Sequence, residues 1–364
     1  MPRRFSASAA LLAAIALGAC STAGGEAAGD ATLRVYVSLP LSGSGGAEGQ
    51  DAADGAELAL AEAGGEAGGV AVEAVVLDDA EGDRWSPVEA AANAREAISD
   101  STAIAYLGEL ESGATRASLP ITSEARLLQV SPGSSAEDLI APFVGSDELP
   151  QVQSVAGRSF GRVIPGDSVQ GEAAAVWAKE LGWRRISIAR DGSDFGSVLA
   201  DAFEDRAQEL GIEVSRGEGA PRTFLAGDGE APAALGSDVL LPPYSPVSGS
   251  AADFATSAAL DPSHLPAAGQ DFLRRFEAEY GRAAGRYAAY GYESMAVVLD
   301  AIERATDPAD RSAVIEAFFD TPERDTVLGS SAIDELGETT LERISGYELD
   351  GKRVSPGIEL DAGR

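Results

Sequence analysis

The sequence predicts an α/β protein made of two parallel-sheet halves, the second of them reduced. Three observations carry that expectation. Strand and helix patterns alternate from Leu33 to Val130, a second alternating series opens near Asp167, and strongly helical patterns return once that series has run out. Strands alternating with helices build parallel sheets with helices packed on their faces.

In the first series, "LRVYVSLPL" is a β-branched and apolar run, and "DAADGAELALAEAGG" has helical spacing with a stop at Gly64. "VAVEAVVL" reads as the second strand. "SPVEAAANAREAI" opens with Ser86 as N-cap, Pro87 in the first helical position and Glu89 to complete a capping box. "TAIAYLG" is a strand, "GATRASLPITSEA" a helix and "LLQV" a strand. The second series runs "SVQGEAAAVWAKELG" (helix), "RRISIAR" (strand), "FGSVLADAFEDRAQELG" (helix) and "IEVS" (strand). Regularity then fails in a Gly- and Pro-rich stretch from Arg216 to Ala251. Helical patterns resume at "AAGQDFLRRFEAEYG", "YAAYGYESMAVVLDAIERA" and "DRSAVIEAFFD", and "ERISGYELDGKRVSPGI" reads as a hairpin turning at Asp350-Gly351.

The chain has 364 residues, enough for two ordinary domains, and its 45% hydrophobic and 24% charged residues are globular values. The net charge of −32, with lysine only at Lys179 and Lys352, repels phosphate backbones and argues against nucleic-acid binding. "MPRRFSASAALLAAIALGAC" has a basic start, a short apolar run and small residues before Cys20, the pattern of an export leader. The apolar run is too short to span a bilayer. Leu17-Gly18-Ala19-Cys20 resembles the lipobox of bacterial lipoproteins, which would make Cys20 a lipidated first residue; an ordinary secretory leader with a chance cysteine is the plainer alternative. "STAGGEAAGD" then reads as a flexible tether.

Ligands of open parallel sheets bind beyond the carboxyl ends of the strands. Three such ends are polar and unshielded: Ser42 to Gly46, Glu111 to Thr115, and Ser131 to Ser135 in "LLQVSPGSS". Free N–H groups at a helix start, beside Ser or Thr hydroxyls, suit a carboxylate or another anion. The plainer alternative is that Ser112 and Ser135 cap helices.

The ordered series "LPLSGSGGAEGQDAADGAELALAEA", "VVLDDAEGD", "AYLGELESGATRASLPITSEARLLQVSPGSSAEDL" and "GRVIPGDSVQGEAAAVWAKELGWRRISIARDGSDFGS" resembles the Leu/Ile/Val-binding proteins. These are the substrate-binding components of ABC importers, with the type I periplasmic-binding-protein fold. The resemblance implies two α/β lobes joined by three crossovers. They would comprise residues 31–164 with 246–341, and a shortened 165–245 with 342–364, after a leader over 1–19 and a tether over 20–30. It implies a ligand α-carboxylate held by Ser112, and a head group held by Gly133, Ser134 and Ser135. Asp167 would stand at the first crossover, Phe195 and Tyr287 would cover the ligand, and Asp228 would meet its ammonium. Asp167 as a helix cap and Phe195 as core remain open alternatives.

The expected function is therefore capture of a small amino-acid-like solute, without an enzyme's chemistry, for ABC permease subunits, by a protein outside the cell membrane and lipid-anchored to it. A sensor or assembly lipoprotein of the same fold, binding a protein partner, is the alternative. Between "GIEVS" and "TFLAGDG" only "RGEGAPR" stands where the resembled family has a helix, a strand and a helix, so the second sheet is expected to have fewer strands. "GRSFG" at 157–161 matches the Gly-x-Ser-x-Gly of hydrolases, with His264 the one histidine, but an extended piece follows where a nucleophile elbow needs a helix. The glycines of "SGSGGAEG" lack dinucleotide-site spacing, and no Cys/His cluster points to zinc, so neither cofactor nor metal is expected.

Overall fold

The computed structural model describes residues 32–140, 157–215, 220–227, 234–241, 252–350 and 353–363. Cys20 with the leader and tether, and Asp228, lie outside the described residues. From the N-terminal side the elements run β1 Leu33–Leu39, α1 Gly46–Glu62, β2 Glu66–Ala67, β3 Val70–Asp78, β4 Ala80–Glu81, β5 Arg84–Trp85, α2 Pro87–Ser99, β6 Ala103–Leu107, α3 Ser112–Glu124, β7 Leu128–Ser131 and β8 Phe160–Arg162. Then come α4 Asp167–Glu180, β9 Arg185–Arg190, α5 Asp194–Glu209, β10 Glu213–Ser215, β11 Thr223–Ala226, β12 Leu235–Gly236 and β13 Phe254–Ser257. Last are α6 Ala267–Tyr280, α7 Ala288–Arg304, α8 Arg311–Phe319, β14 Arg324–Thr326, β15 Gly329–Ser331, β16 Arg343–Asp350, β17 Arg353–Val354 and β18 Ile358–Asp361.

The first sheet has the order β2-β3-β1-β6-β7-β8, parallel except for the β2–β3 hairpin. The pleat sorts its side chains. Val35, Val37 and Leu39 join the core under α1, α6, α7 and α8, while Tyr36 between them joins Tyr106, Ala94 and Ala97 under α2 and α3. Helices α1 and α7 cross at reciprocal glycines. A Cβ on Gly55 would strike the Ala288 carbonyl oxygen at 2.0 Å, and one on Gly291 the Ala52 oxygen at 1.9 Å. The returning helices therefore belong to the first sheet. Ser86 caps α2, accepting from the N–H groups of Val88 and Glu89, but its own N–H donates to Asp79 O, so the reciprocal half of a capping box is absent.

The second sheet has the order β10-β9-β11-β12-β13-β16-β17, with β18 also paired to β16. It has eight strands to the six of the first sheet, and among the described residues no α-helix stands between β10 and β13. Strands of two to four residues, such as Leu235–Gly236, are too short to leave a periodic signature. One face packs on α4 and α5 through Trp177, Leu199 and Phe203, the last stacked on Phe224 at 4.2 Å. Each such buried ring contributes about 2 kcal/mol. The other face is covered by Leu240, Leu241 and Ala252. One expectation is corrected, the return of the chain to the first sheet at 246. Phe254–Ser257 pairs with β12 and β16 inside the second sheet, so the chain leaves that sheet only after Ser257. The chain passes between the sheets after Arg162, after Ser257 and before Arg343.

Candidate ligand-binding cleft

Two loops at the carboxyl ends of β6 and β7 are stapled together to form the floor of a cleft. Ser131 donates from Oγ to Glu109 O at 2.6 Å and accepts from Ser134 N at 2.8 Å. Ser134 Oγ donates to the same carbonyl at 3.0 Å and lies 2.7 Å from Thr115 Oγ, which accepts from Glu109 N. The hydroxyls of "SPGSS" thus serve two ends. Ser131 and Ser134 face inward and lock the loops, whereas Ser135 faces out. Gly133 has its reason in close approach, since a Cβ there would meet Leu110 O at 2.5 Å.

Above this floor lies a cavity of about 290 Å³ with walls from both sheets. Ser112, Gly133, Ser135, Asp167, Phe195 and Tyr287 line it. Ser134 does not: it is fully buried in the staple, so its assignment to the ligand is corrected to a buttress. Asp228 lies outside the described residues. The loop Ser42 to Gly46 contributes nothing to the cavity; Ser44 donates to Asp83 O at 2.8 Å, and α1 has already begun at Gly46. Among the other lining residues, Glu111 belongs to the strand end Glu111 to Thr115 singled out in the sequence, whereas Trp85, Arg116 and Asp238 were not. A lone Trp in the polar "EGDRWSP", beyond the end of β3, was a signal to follow; Asp238 follows a two-residue strand and carried none.

The N-terminus of α3 opens into the cavity. Its cap, Glu111, makes no side-chain capping bond, and the first N–H groups of a helix have no partner within it. Ser112 is the first helical residue rather than the cap, and its Oγ accepts from Ala136 N at 3.2 Å. Trp85 lies over this turn: a Cβ on Gly113 would meet its ring at 2.5 Å.

Asp167 is likewise the first residue of α4, with Gly166 as the cap, so it is not the helix cap. It is 2% exposed, and its Oδ1 has no hydrogen-bond partner among the described residues. Burial pushes this carboxyl up to about 7, against the pull of the Ser135 hydroxyl and of Arg162. Asp238, at the start of the 3-10 turn Asp238–Leu240, is also raised by burial and held down by Arg286 and Gln170. Arg116 donates to both oxygens of Asp138, at 2.8 and 2.6 Å. Phe195 is half-buried, packing on the second core while lining the cavity.

Beneath the floor lies a second carboxyl pair, Asp79 and Glu109, both fully buried. Tyr106 Oη donates to Glu109 Oε1 at 2.6 Å, while both Asp79 oxygens and Glu109 Oε2 lack partners among the described residues. Burial pushes Asp79 up to about 6, and burial together with Asp79 pushes Glu109 well above the usual range. A raised carboxyl stabilises the fold below its unfolded value, near pH 4, and that contribution is lost as pH rises through 6. Asp79→Asn, whose amide can donate to Glu109, is expected to raise unfolding free energy at pH 8 by about 2 kcal/mol and to change little at pH 4. Chemical denaturation at the two pH values checks this; an equal change at both refutes it.

The hydrolase alternative finds no geometry. Ser159 is buried and followed by the strand β8, not a helix, and His264 Nε2 lies 2.5 Å from Gly357 O. Among the described residues no helix is long and apolar enough to cross a membrane.

Comparison with known proteins bears on the same architecture. A curated relative, the Leu/Ile/Val-binding protein homolog 3 of Brucella melitensis, is 25% identical, covering 94% of this chain and 98% of its own length. A leucine-binding protein from Thermotoga maritima superposes with a TM-score of 0.68 at 24% identity, over 90% of this chain and 99% of that one. A solute-binding protein of an ABC transporter from Rhodopseudomonas palustris, in complex with p-hydroxybenzoic acid, gives 0.70 at 19% identity, over 91% and 97%. These neighbours have the two-lobed type I periplasmic-binding-protein fold, and so does this chain. The family model described as "Periplasmic binding protein" matches residues 32–223, more than half of the sequence, and the chain belongs to that family.

Proposed function

We propose that the protein captures a small amino acid between its lobes and delivers it to the permease of an ABC importer. One observation carries this reading: Asp167, whose buried Oδ1 has no hydrogen-bond partner among the described residues, lines a cavity that also receives the start of α3. An ammonium suits the first and a carboxylate the second. In this reading Ser112 and Ser135, with the backbone of Gly133, take the carboxylate, Asp167 takes the ammonium, and Trp85, Phe195 and Tyr287 cover the remainder. The names of the relatives, Leu/Ile/Val-binding and leucine-binding, agree with an amino acid. An aromatic acid such as the one held by the Rhodopseudomonas protein has no ammonium and would leave Asp167 unpaired. Contacts from both lobes to one ligand shift the population toward the closed form. Export through the leader and lipidation of Cys20 would hold the protein on the outer face of the cell membrane, beside the permease.

A thermal-shift screen of the purified protein against the twenty amino acids, amides and short-chain acids tests the proposal. At a hundredfold excess over Kd, a true ligand adds about 2.7 kcal/mol of stability. A flat screen overturns solute capture in favour of a protein partner.

A further inference from the structure

We propose that Glu137 is a positioning residue of the cleft, a first-lobe carboxylate that reaches across the first crossover to cap α4 and so holds Asp167 at the floor. The inference rests on the amino-acid reading above and concerns how that site is kept in register and tuned. Helix α4 begins Gly166-Asp167-Ser168, and its cap, Gly166, makes no side-chain capping bond. The first N–H groups of a helix need partners from outside it. Here the first two find them in the other lobe. Asp167 N donates to Ser135 O at 3.0 Å, and Ser168 N donates to Glu137 Oε1 at 2.9 Å.

The space that a local capping side chain would need is filled from the same direction. A Cβ on Gly166 would stand 2.7 Å from Glu137 Oε1 and 2.6 Å from Arg162 Nη2. Glu137 is anchored in its own lobe, because Leu139 of the same 3-10 turn packs with Leu119 and Phe160. Its Oε2 lies 3.5 Å from the buried Arg162, and a carboxylate at a helix start is favoured by the helix dipole. Glu137 therefore acts on Asp167 in two ways. As an acceptor it fixes the amide of the next residue. As a charge it adds to the field at the Asp167 carboxyl. Arg162 from β8 and Arg116 from α3 favour the ionised form there, whereas Glu137 and Asp238 oppose it. Removing the charge alone lets Asp167 ionise at lower pH; removing the oxygen as well frees the start of α4.

Calorimetric titration of the purified protein with each of the twenty L-amino acids, at pH 5.5 and pH 8.5, tests both. For the tightest binder the parent's affinity is expected to be about thirtyfold higher at pH 8.5, because binding needs Asp167 ionised. Glu137→Gln keeps an oxygen for Ser168 and is expected to shrink that ratio by about threefold or more. Glu137→Ala is expected to shrink it as well, and to lose about fivefold in affinity at pH 8.5 that the glutamine variant recovers. Should the alanine variant fold poorly, the pH ratio of Glu137→Gln decides alone. A Glu137→Gln ratio equal to the parent's, or Glu137→Ala binding as tightly as Glu137→Gln, would overturn the role of Glu137 while leaving capture through Asp167 intact. If the parent binds no amino acid, or binds with no dependence on pH, the reading of Asp167 falls, and this assignment with it.

Discussion

Asp167→Asn is expected to weaken amino-acid binding by about thirtyfold or more and to flatten its pH dependence. The ammonium would lose its buried anionic partner, and truncating one member of a buried charge pair costs 2–5 kcal/mol, roughly 1.5 to 3.5 decades in Kd. The sign with pH follows from the empty site. Burial holds the Asp167 carboxyl at about 7, while a bound ammonium favours its ionised form. Binding below pH 7 must therefore release a proton, and affinity should fall about tenfold for each pH unit below that point and level off above it. Calorimetry between pH 5.5 and 8.5, in buffers of different ionisation enthalpy, reads both affinity and proton release. A variant with the affinity and pH profile of the parent would remove Asp167 from the ligand.

Arg162→Ala is expected to lower unfolding free energy by about 3–5 kcal/mol, because breaking a buried ion pair leaves its partner without compensation. Arg162 is wholly buried. Its Nε donates to both Glu338 oxygens, at 2.9 and 3.0 Å, and its Nη1 to Ala136 O at 2.9 Å, with Glu137 3.5 Å away. The side chain ties the segment before β16 to the loop after β7, close to where the chain first leaves the first sheet. It therefore also fixes the carbonyl of Ala136, whose N–H holds the Ser112 hydroxyl. Arg162→Lys keeps the charge but not the fork, and should recover only part of the loss. Denaturant unfolding measures both, and a loss below about 1 kcal/mol for the alanine variant would show that the pair offers no net support.

Sequence periodicity located every long helix and the strands β1, β3, β6 and β7 of the first sheet, because each carries two or more turns, or four or more alternating residues, against a core; β2 and β8, of two and three residues, left no such signal. Helices α4 and α5 and the returning α6 to α8 were legible for the same reason. The short strands β11 to β13 were not, since two to four residues leave no measurable period.

Within the cleft the same division holds. Polar residues at strand ends pointed to Ser112, Gly133 and Ser135, because an unshielded helix start or strand tip is a local feature of the chain, whereas Asp167 came only from the family resemblance. Which of two adjacent serines turns inward is not local. Ser134 is committed to the Glu109 carbonyl and Thr115 only because β6 and β7 lie side by side. Likewise Trp85, Glu111 and Asp238 come from separate segments and meet at one cavity only through the packing of two sheets. The order of residues by itself determined the α/β architecture and the polar, unshielded strand ends, through hydrophobic period and local composition. Only the tertiary structure decided which side chains share the cleft, since residues far apart in the chain meet only after folding brings them together.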